Sequence, residues 1–290
     1  MLLHLCESGA VAMIIDTNHR TTASLTRLAN AGVTAIIRYY ARFTSQPEKR
    51  LTRAEAEAIL DAGMSIGAVH QAAGDRATAF SHDSGVADAT SARNYGAKVI
   101  GQPEGSAIYF AVDFDATQAD VNRRIVPYFR AVQMVMGSAD QLPTYRVGAY
   151  GSGTVLKTLL DADLVDFTWL SQSLGFSGSR AFKASNRWTL FQHLPSKVGG
   201  LDVDVDELNP AMTDFGAFDH LDPLSPPLVV KARSGLRLRA GPGTNFDVQQ
   251  VLPFGTSVSV VSRSGDFAAV DLNGDGAIDG YVFAGFLGPA

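Results

Sequence analysis

Short apolar runs alternate with helical patterns through about the first 210 residues of the chain, and this alternation is the strongest local signal in the sequence. Several runs are continuously apolar and end in an acidic residue, as in Ala-Met-Ile-Ile-Asp and Ile-Tyr-Phe-Ala-Val-Asp. Such runs are typical of strands buried on both faces of a parallel sheet. The predicted strands are Ala12–Asp16, Ala35–Tyr40, Ser65–Gln71, Ala107–Asp115, Arg146–Gly151, Phe167–Ser171, Trp188–Gln192 and Leu201–Val205.

The segments between these strands carry the signals of helix ends. Thr52 and Glu55 form a capping-box pattern, and Gly63 is placed to end the helix that they begin. Thr117 with Asp120 begins another helix in the same way. Eight strands with helical crossovers in about 200 residues predict an α/β fold, a small (β/α)8 barrel of the TIM type. A doubly wound open sheet is the alternative, but no glycine-rich phosphate turn follows the first strand to support it.

The pattern changes after Asn209. Residues 215–228 are rich in proline and continue neither the strand pattern nor the helix pattern of the preceding segment, so they are interpreted as a linker. Short β-patterned runs separated by turns follow, without a helical stretch, and predict a small all-β barrel. The predicted domains are therefore a barrel over 1–214, a linker over 215–228 and a β domain over 229–290. The β-patterned runs are Val229–Ala232, Leu236–Arg239, Val248–Leu252, Ser257–Val261, Ala268–Leu272 and Gly280–Val282.

Composition narrows the class of protein. Apolar residues make up 46% of the chain and charged residues 18%, which is ordinary for a globular protein. The net charge of -5 and the lack of a basic run argue against nucleic acid or an anionic membrane as the partner. Cys6 is the single cysteine and excludes an internal disulfide. The N-terminus lacks the basic region of a signal peptide, and no apolar run is long enough to span a membrane.

Acidic residues recur at the ends of the predicted strands. In a (β/α)8 barrel these ends form the floor of the active site, and strands one and eight are neighbours. Residues two apart on a strand face the same side. Asp113 and Asp115 are therefore expected to face one side of the fourth strand, and the three acidic residues of the eighth strand are expected to face one side of that strand. Carboxylates that converge on one pocket push their pKa values apart, as glycosidic cleavage requires. The acidic residues are Asp16, Asp113, Asp115, Asp202, Asp204 and Asp206.

An acidic residue at a strand end can instead cap the helix that follows. Aromatic residues near the predicted strand ends favour a functional role for the set, because sugar rings stack on aromatic faces. These residues are Tyr39, Tyr109, Tyr150 and Trp169, and His70 ends the third strand, where it is expected to line the same pocket.

Five motifs occur in the order found in a known family. They are Arg38-Tyr39-Tyr40, the run from Ala107 to Asp115, the run from Val147 to Ser152, Trp169-Leu170-Ser171, and Trp188 with Gln192. This order resembles the glycoside-hydrolase-like family of initially unknown function, whose barrel is similar to the family 25 lysozymes, and the resemblance covers Ala12 to Asn209. It implies a catalytic set of Asp16, Asp113, Asp115 and Asp204. The predicted substrate-binding residues are Arg38, Tyr39, His70, Tyr150, Trp169, Gln192 and Asp202.

The chain departs from the lysozymes at one position that this resemblance makes important. The lysozymes carry Glu where this chain carries Asp115. The loss of one methylene shortens the reach of the acid by about 1.5 Å. A misplacement of about 1 Å can cost roughly 10²-fold in rate. Glu104 and Glu207 could supply a longer acid, but neither matches a family motif.

The C-terminal segment resembles a bacterial Src-homology-3-like domain over Val229 to Leu287. The resemblance is carried by Leu236 to Phe246, Val251 to Thr256 and Gly280 to Val282. Such domains accompany cell-wall hydrolases, so the resemblance implies binding to peptidoglycan.

A partial calcium-loop pattern lies inside this C-terminal segment, at Asp271, Asn273, Asp275 and Asp279. Oxygen ligands on alternate residues around a tight glycine turn suit Ca²⁺, although Val282 stands where the loop normally closes with Glu. The alternative is a polar hairpin turn. A calcium ion here is expected to be structural, and no cofactor is expected for catalysis.

The leading hypothesis is a glycosidase-like hydrolase of peptidoglycan or a related glycan. Asp115 would be its general acid, and Asp113 or Asp204 would stabilise positive charge or position a neighbouring acetamido group. The alternative is a wall protein whose pocket binds glycan without cleaving it, and a scaffold for partner proteins is disfavoured by the concentrated acidic residues. The chain is expected to act as a monomer that is extracellular or associated with the cell wall.

Overall fold

The structure is a computed structural model that describes residues 13–40, 46–140, 142–224, 226–274 and 278–290. Within these residues, eight strands close into a barrel in chain order. The strands are β1 (Met13–Asp16), β2 (Val33–Tyr40), β3 (Ser65–His70), β4 (Ala107–Ala111), β5 (Arg146–Gly151), β6 (Phe167–Leu170), β7 (Leu190–Val198) and β8 (Leu201–Leu208).

Strand β8 runs opposite to the other seven strands. β1 to β7 pair in parallel, whereas β8 is antiparallel to both β7 and β1. Only Gly199 and Gly200 separate β7 from β8, with φ of 57° and 85°. A parallel crossover needs about 10–12 residues, so this connection can only be a hairpin. The prediction of an eight-stranded α/β barrel is confirmed, but its all-parallel form is wrong at the last strand.

Helices cover the outside of the barrel. Thr52 begins its helix as predicted, because its side chain accepts a hydrogen bond from the Glu55 backbone N–H. A π-helical turn at Val121–Ile125 joins two helical segments after β4. The helices are α1 (Leu25–Asn30), α2 (Arg53–Asp61), α3 (His82–Asn94), α4 (Gln118–Asp120), α5 (Val126–Met136), α6 (Gly153–Asp161) and α7 (Ser179–Ala184). Among the described residues, no helix is both long and apolar enough to cross a membrane.

The interior of the barrel is filled by side chains rather than open. Tyr109 lies at its centre, 1% exposed, with its ring in an edge-on contact with Trp169. Gly148 on β5 makes room for that ring, since a Cβ there would lie 2.4 Å from a Tyr109 ring carbon. The outward-facing residues of the strands pack against the helices in a second, larger cluster. The two layers fix which residues of each strand can reach the mouth.

The first part of the predicted linker packs onto the barrel. Phe215 is buried in the barrel interior, and its carbonyl accepts a hydrogen bond from the Tyr109 hydroxyl at 2.8 Å. Phe218 forms an antiparallel bridge with Ile66 near the start of β3. Arg53 donates to the carbonyl of Asp222 at 3.0 Å. The barrel therefore holds the chain beyond the predicted boundary at 214, because two phenylalanines supply apolar surface that a free linker would leave exposed.

The C-terminal segment forms a seven-stranded all-β sheet in the described residues, as expected for an SH3-like domain. Val230, Leu238, Val270 and Val282 are buried in its core. The Lys98 ammonium of the barrel donates to the carbonyl of Val260 at 2.8 Å. The strands are β9 (Leu228–Val230), β10 (Leu236–Arg239), β11 (Val248–Leu252), β12 (Ser257–Ser264), β13 (Phe267–Asp271), β14 (Gly280–Phe283) and β15 (Leu287–Pro289).

Candidate active site

A pocket of about 200 Å³ opens at the mouth of the barrel, where β1 to β7 end. It is called here the central pocket. Its polar and aromatic lining is Tyr39, Gln71, Asp113, Tyr150, Trp169, Gln172, Gln192 and Asp204.

The reversed direction of β8 explains why Asp204 reaches this mouth. Asp204 lies opposite Asp16, the last residue of β1, in the antiparallel register. Val203 points outward into the core under the helices, so its neighbour Asp204 points into the barrel. The middle of β8, rather than its end, therefore supplies the carboxylate.

Gln192 on β7 links two of the carboxylates. Its side-chain N–H group donates to Asp16 Oδ2 at 2.9 Å and to Asp204 Oδ2 at 3.1 Å. Its oxygen accepts a hydrogen bond from the Tyr150 hydroxyl at 2.8 Å. The Tyr39 hydroxyl donates to the other oxygen of Asp16 at 3.1 Å. The amide thus holds Asp204 in the lining of the pocket and Asp16 beneath it.

Asp16 is suited to hold a proton near neutral pH. It is 3% exposed, and burial raises its pKa to about 7, with the charge of Asp204 acting in the same direction and the hydrogen bond from Gln192 opposing it. A carboxyl group at such a pKa can exchange protons at neutral pH, when an ordinary aspartate is fully charged.

Asp206 lies one step deeper in the barrel than Asp204. It was predicted among the acidic residues of the eighth strand, but no catalytic or binding role was predicted for it. It is 2% exposed, and burial, followed by the charge of Asp16, raises its pKa well above the ordinary value. The Trp169 indole N–H donates to its Oδ1 at 2.7 Å. The period of two on β8 correctly predicts that Asp206 faces the same side as Asp204. Asp16 and Asp206 therefore share a buried environment that disfavours two negative charges.

Asp113 is the exposed carboxylate of the central pocket. It follows β4, and its backbone N–H donates to the Gly74 carbonyl at 2.7 Å. The Gln71 amide donates to Asp113 Oδ2 at 3.2 Å, and Lys49 Nζ donates to the Gln71 oxygen at 2.6 Å. Lys49 also lies 4.3 Å from the centre of the Tyr39 ring. Burial lowers the pKa of Lys49, while the charges of Asp113 and Asp16 oppose that change.

Asp115 lies outside the lining of the central pocket, contrary to the expectation that it faces the same side as Asp113. Its Oδ1 accepts a hydrogen bond from the Ser177 backbone N–H at 2.7 Å, which ties it to the loop after β6. The reason is that β4 ends at Ala111, so the alternation of a strand no longer holds at 113 and 115.

Three of the predicted substrate-binding residues also lie outside this pocket. Arg38 is fully buried on the outer side of β2, where it donates to Glu55 at 3.2 Å, because it alternates with the inward-facing Tyr39. Asp202 is exposed and pairs with Lys197 at 3.0 Å on the part of the hairpin above the barrel. His70 faces outward from β3 into a different cavity.

The alternative acids and the calcium pattern stay apart from the central pocket. Glu104 accepts from the Thr144 hydroxyl at 2.9 Å, and Glu207 lies 3.1 Å from His193. In the C-terminal domain, Asp279 accepts hydrogen bonds from Leu272 and Asn273.

The calcium prediction stays a prediction. Asp271 accepts hydrogen bonds from the backbone N–H groups of Asn273 and Gly274, as in a tight turn. Asp275 lies outside the described residues. Within the described ranges, no group of three or more His, Cys, Asp or Glu side chains is placed to hold a metal ion.

Comparisons with known proteins agree with both parts of the fold. The model of a family described as Rv2525c-like, glycoside hydrolase-like domain matches residues 26–204, and that of the bacterial SH3 domain matches residues 234–288. The structure of the Tat-secreted protein Rv2525c of Mycobacterium tuberculosis, in complex with L-tartrate, is similar with a TM-score of 0.60 and 22% identity. The match covers 72% of this chain and 99% of that one.

Two uncharacterised proteins of Bacillus subtilis strain 168 are similar in sequence. YbfG is 32% identical over 180 residues, which are 60% of this chain and 24% of YbfG. FadG is 30% identical over 188 residues, which are 62% of this chain and 32% of FadG. The chain thus spans only about a quarter to a third of the length of these relatives.

Proposed function

The chain belongs to the Rv2525c-like, glycoside hydrolase-like family, and from this premise we propose that its central pocket hydrolyses a glycan of the bacterial cell wall. The observation that carries the proposal is the set of carboxyl groups at one barrel mouth. Asp113 and Asp204 line the pocket, and Asp16, with a pKa of about 7, lies directly beneath it. Glycosidic hydrolysis needs one protonated and one charged carboxyl group. Burial raises the pKa of Asp16 and of Asp204, which favours the protonated form, whereas the Asp113 side chain is exposed.

In this proposal Asp204 delivers the proton to the leaving oxygen. Asp204 lines the pocket, and burial raises its pKa above the ordinary value. Gln192 bonds to both Asp204 and Asp16, which keeps a second protonated group close to the donor. The acid is therefore assigned to β8, and not to Asp115, whose carboxylate is engaged by the loop at Ser177.

Asp113 has the complementary role. It is exposed within the pocket and accepts a hydrogen bond from Gln71, so it is suited to stabilise positive charge on the sugar or to position an acetamido group. Tyr39, Tyr150 and Trp169 line the same pocket, and aromatic side chains offer faces to sugar rings.

The C-terminal SH3-like domain supports the choice of substrate. We propose that it binds peptidoglycan and holds the barrel at the wall. Because Rv2525c is a secreted protein, we also propose an extracellular or wall-associated location for this chain.

The test is the rate at which purified peptidoglycan gains reducing ends. Asp204→Asn is expected to lower this rate by about 10²–10⁴-fold, the usual contribution of acid–base catalysis. Asp113→Asn is also expected to lower it, through lost charge stabilisation. Asp202→Asn is the matched control, since it removes an exposed carboxylate on the same hairpin, and it is expected to retain the wild-type rate. Equal rates in all three variants would remove the central pocket from the reaction.

A second candidate function is glycan binding without cleavage. It is favoured by the position of Asp115, since the place where the lysozymes carry their acid is occupied here by a side chain bonded to Ser177. If the wild-type chain binds peptidoglycan and releases no reducing ends, this second function is correct.

A further inference from the structure

A second cavity lies beside the barrel wall, between the end of β3 and helices α3 and α5. Its volume is about 210 Å³, similar to that of the central pocket. His70, Gly74, Phe80, Asp88 and Tyr128 are among its lining residues, and it is called here the side cavity. The loop after β3 separates it from the central pocket, with Ala111 as the single lining residue that both share.

His70 is the unusual residue of the side cavity. It is 2% exposed, and neither of its ring nitrogens has a hydrogen-bond partner among the described residues. A buried polar group without a partner destabilises the fold unless a bound molecule supplies the hydrogen bond. The Phe110 ring lies beside the imidazole at a tilt of 45°, with 5.5 Å between the ring centres.

Asp88 places its carboxyl group beside His70 in the side cavity. Its Oδ2 accepts a hydrogen bond from the Tyr128 hydroxyl at 3.1 Å. Its Oδ1 lies 3.6 Å from His70 Nε2, which is too long for a hydrogen bond. No lysine or arginine in the described ranges forms an ion pair with Asp88. Among the described residues, the His70 imidazole is the basic group within ion-pair distance of Asp88, and its 3.6 Å separation leaves room for a closer, charge-assisted hydrogen bond from a ligand cation.

From these contacts we infer that the side cavity binds the primary ammonium group of a small ligand. Three N–H donors on one nitrogen can satisfy Asp88 Oδ1 and the unprotonated nitrogen of His70 together. The other ring nitrogen then donates to an oxygen of the same ligand. Phe80 covers the carbon part of the ligand from the apolar side.

The size of the cavity limits the ligand to about one ring. A cavity of roughly 150 Å³ holds a benzene molecule, so about 210 Å³ admits a single sugar or a short amino-acid derivative. An amino sugar with a free amine and an amino-acid amide both present the required ammonium beside an oxygen. This inference concerns binding alone and holds whether or not the central pocket is catalytic.

The test is a titration of the full chain with glucosamine and with alaninamide, in which NMR monitors the ¹⁵N signals of the His70 imidazole. Either amine is expected to give a saturable shift of these signals, and their relative affinities show whether a sugar or an amino-acid derivative is the better ligand. N-acetylglucosamine, which has the same ring without the charge, is expected to give none. If neither amine produces a saturable shift, the cavity holds only water and the inference is wrong.

Variants locate the binding and separate it from the central pocket. Asp88→Asn is expected to weaken binding about tenfold or more, because it removes a charge-assisted hydrogen bond. Ala79→Leu fills the side cavity without changing any charge and is expected to abolish binding. Asp83→Asn is the control on the same helix, because this carboxylate is exposed, and it is expected to bind as the wild type does. Binding that survives in the filled variant and is lost in Asp113→Asn would place the amine in the central pocket and overturn the inference.

Discussion

Single residues decide which carboxylates of the barrel can act. Gln192 bonds to Asp16 and Asp204 on neighbouring strands, whereas Asp115, only two residues beyond Asp113, is held by a loop. The sequence motifs identified the strand that carries each residue, and Tyr39, Tyr150, Trp169 and Gln192 all line the central pocket. Motifs could not show where a strand stops, and that point decides the direction of the side chains that follow.

Substitutions of Asp115 test whether its loop contact is its main role. Asp115→Asn keeps an oxygen that can accept from Ser177, so we expect hydrolysis to stay within a few-fold of the wild-type rate. Asp115→Glu is expected to disturb the loop and to give no gain. The measurement is the release of reducing ends from purified peptidoglycan. A loss of about 10²-fold or more in Asp115→Asn would return the role of general acid to this residue.

The buried carboxyl group of Asp16 predicts a dependence of stability on pH. Burial raises its pKa in the folded state to about 7 from an ordinary 3.8, so between these values the folded chain binds a proton that the unfolded chain has released. The free energy of unfolding should therefore fall as pH rises through this range. Asp16→Asn removes this proton, and we expect its stability to fall less over the same range. The raised pKa of Asp206 also makes stability fall with pH, so the decrease is expected to be smaller in Asp16→Asn but not absent.

Urea unfolding of both proteins at several values between pH 4 and pH 8 measures this difference. As pH rises, the free energy of unfolding of Asp16→Asn should increase relative to that of the wild type. Parallel curves would show that Asp16 has an ordinary pKa in the folded protein.

At the scale of elements, the direction of β8 was predicted wrongly, because β7 and β8 form a hairpin. The apolar runs gave both strands, but a run of β pattern has no direction of its own. The short Gly199-Gly200 connection determines the direction, because two residues cannot form a crossover. The mistaken direction did not move Asp204, since its place beside Asp16 depends on the register of the pair.

The packing of β4 against β5 gives a stability prediction. Gly148→Ala would place a Cβ 2.4 Å from the Tyr109 ring inside the barrel. Overpacking of this kind typically costs about 1–3 kcal/mol, and we expect a loss of that size in the free energy of unfolding. Urea denaturation measures it. Gly175→Ala is the matched control, because no atom lies within 4 Å of its added Cβ, and an equal loss there would contradict the packing argument.

At the scale of the whole molecule, the two domains are joined by a contact as well as by the chain. Lys98 donates to the carbonyl groups of Val260 and Val261 on β12, and burial lowers its pKa to about 8. Composition alone marked residues 215–228 as a linker, and it could not show that Phe215 and Phe218 are buried by the barrel. A proline-rich pattern indicates that a segment lacks regular secondary structure, but it does not indicate whether the segment packs against the barrel.

Lys98→Met tests this contact because it keeps an apolar stem and removes the ammonium group. We expect the two domains to tumble more independently in the variant, with ¹⁵N relaxation giving two distinct correlation times. The wild type should show the same change as pH rises above about 8, where Lys98 loses its proton. Identical relaxation in the variant and the wild type would show that the contact does not hold the domains together.

The C-terminal domain is expected to fold on its own when expressed as residues 229–290. A domain of about 60 residues is marginally stable, so we expect a cooperative but low melting transition by circular dichroism. Its apolar core, which includes Val230 and Val282, lies within that segment. A fragment with no cooperative transition would mean that the domain depends on the barrel for its stability.

The most direct test of the central claim is hydrolysis of purified peptidoglycan by the full chain in ¹⁸O-labelled water, read by mass spectrometry. If Asp113 and Asp204 cleave a glycosidic bond, the released saccharides carry one ¹⁸O at a new reducing end, and Asp204→Asn releases about 10²–10⁴-fold fewer of them. Label found only in newly formed carboxyl groups of peptides, or no released product while the chain remains bound to the glycan, would contradict glycoside hydrolysis at the barrel mouth.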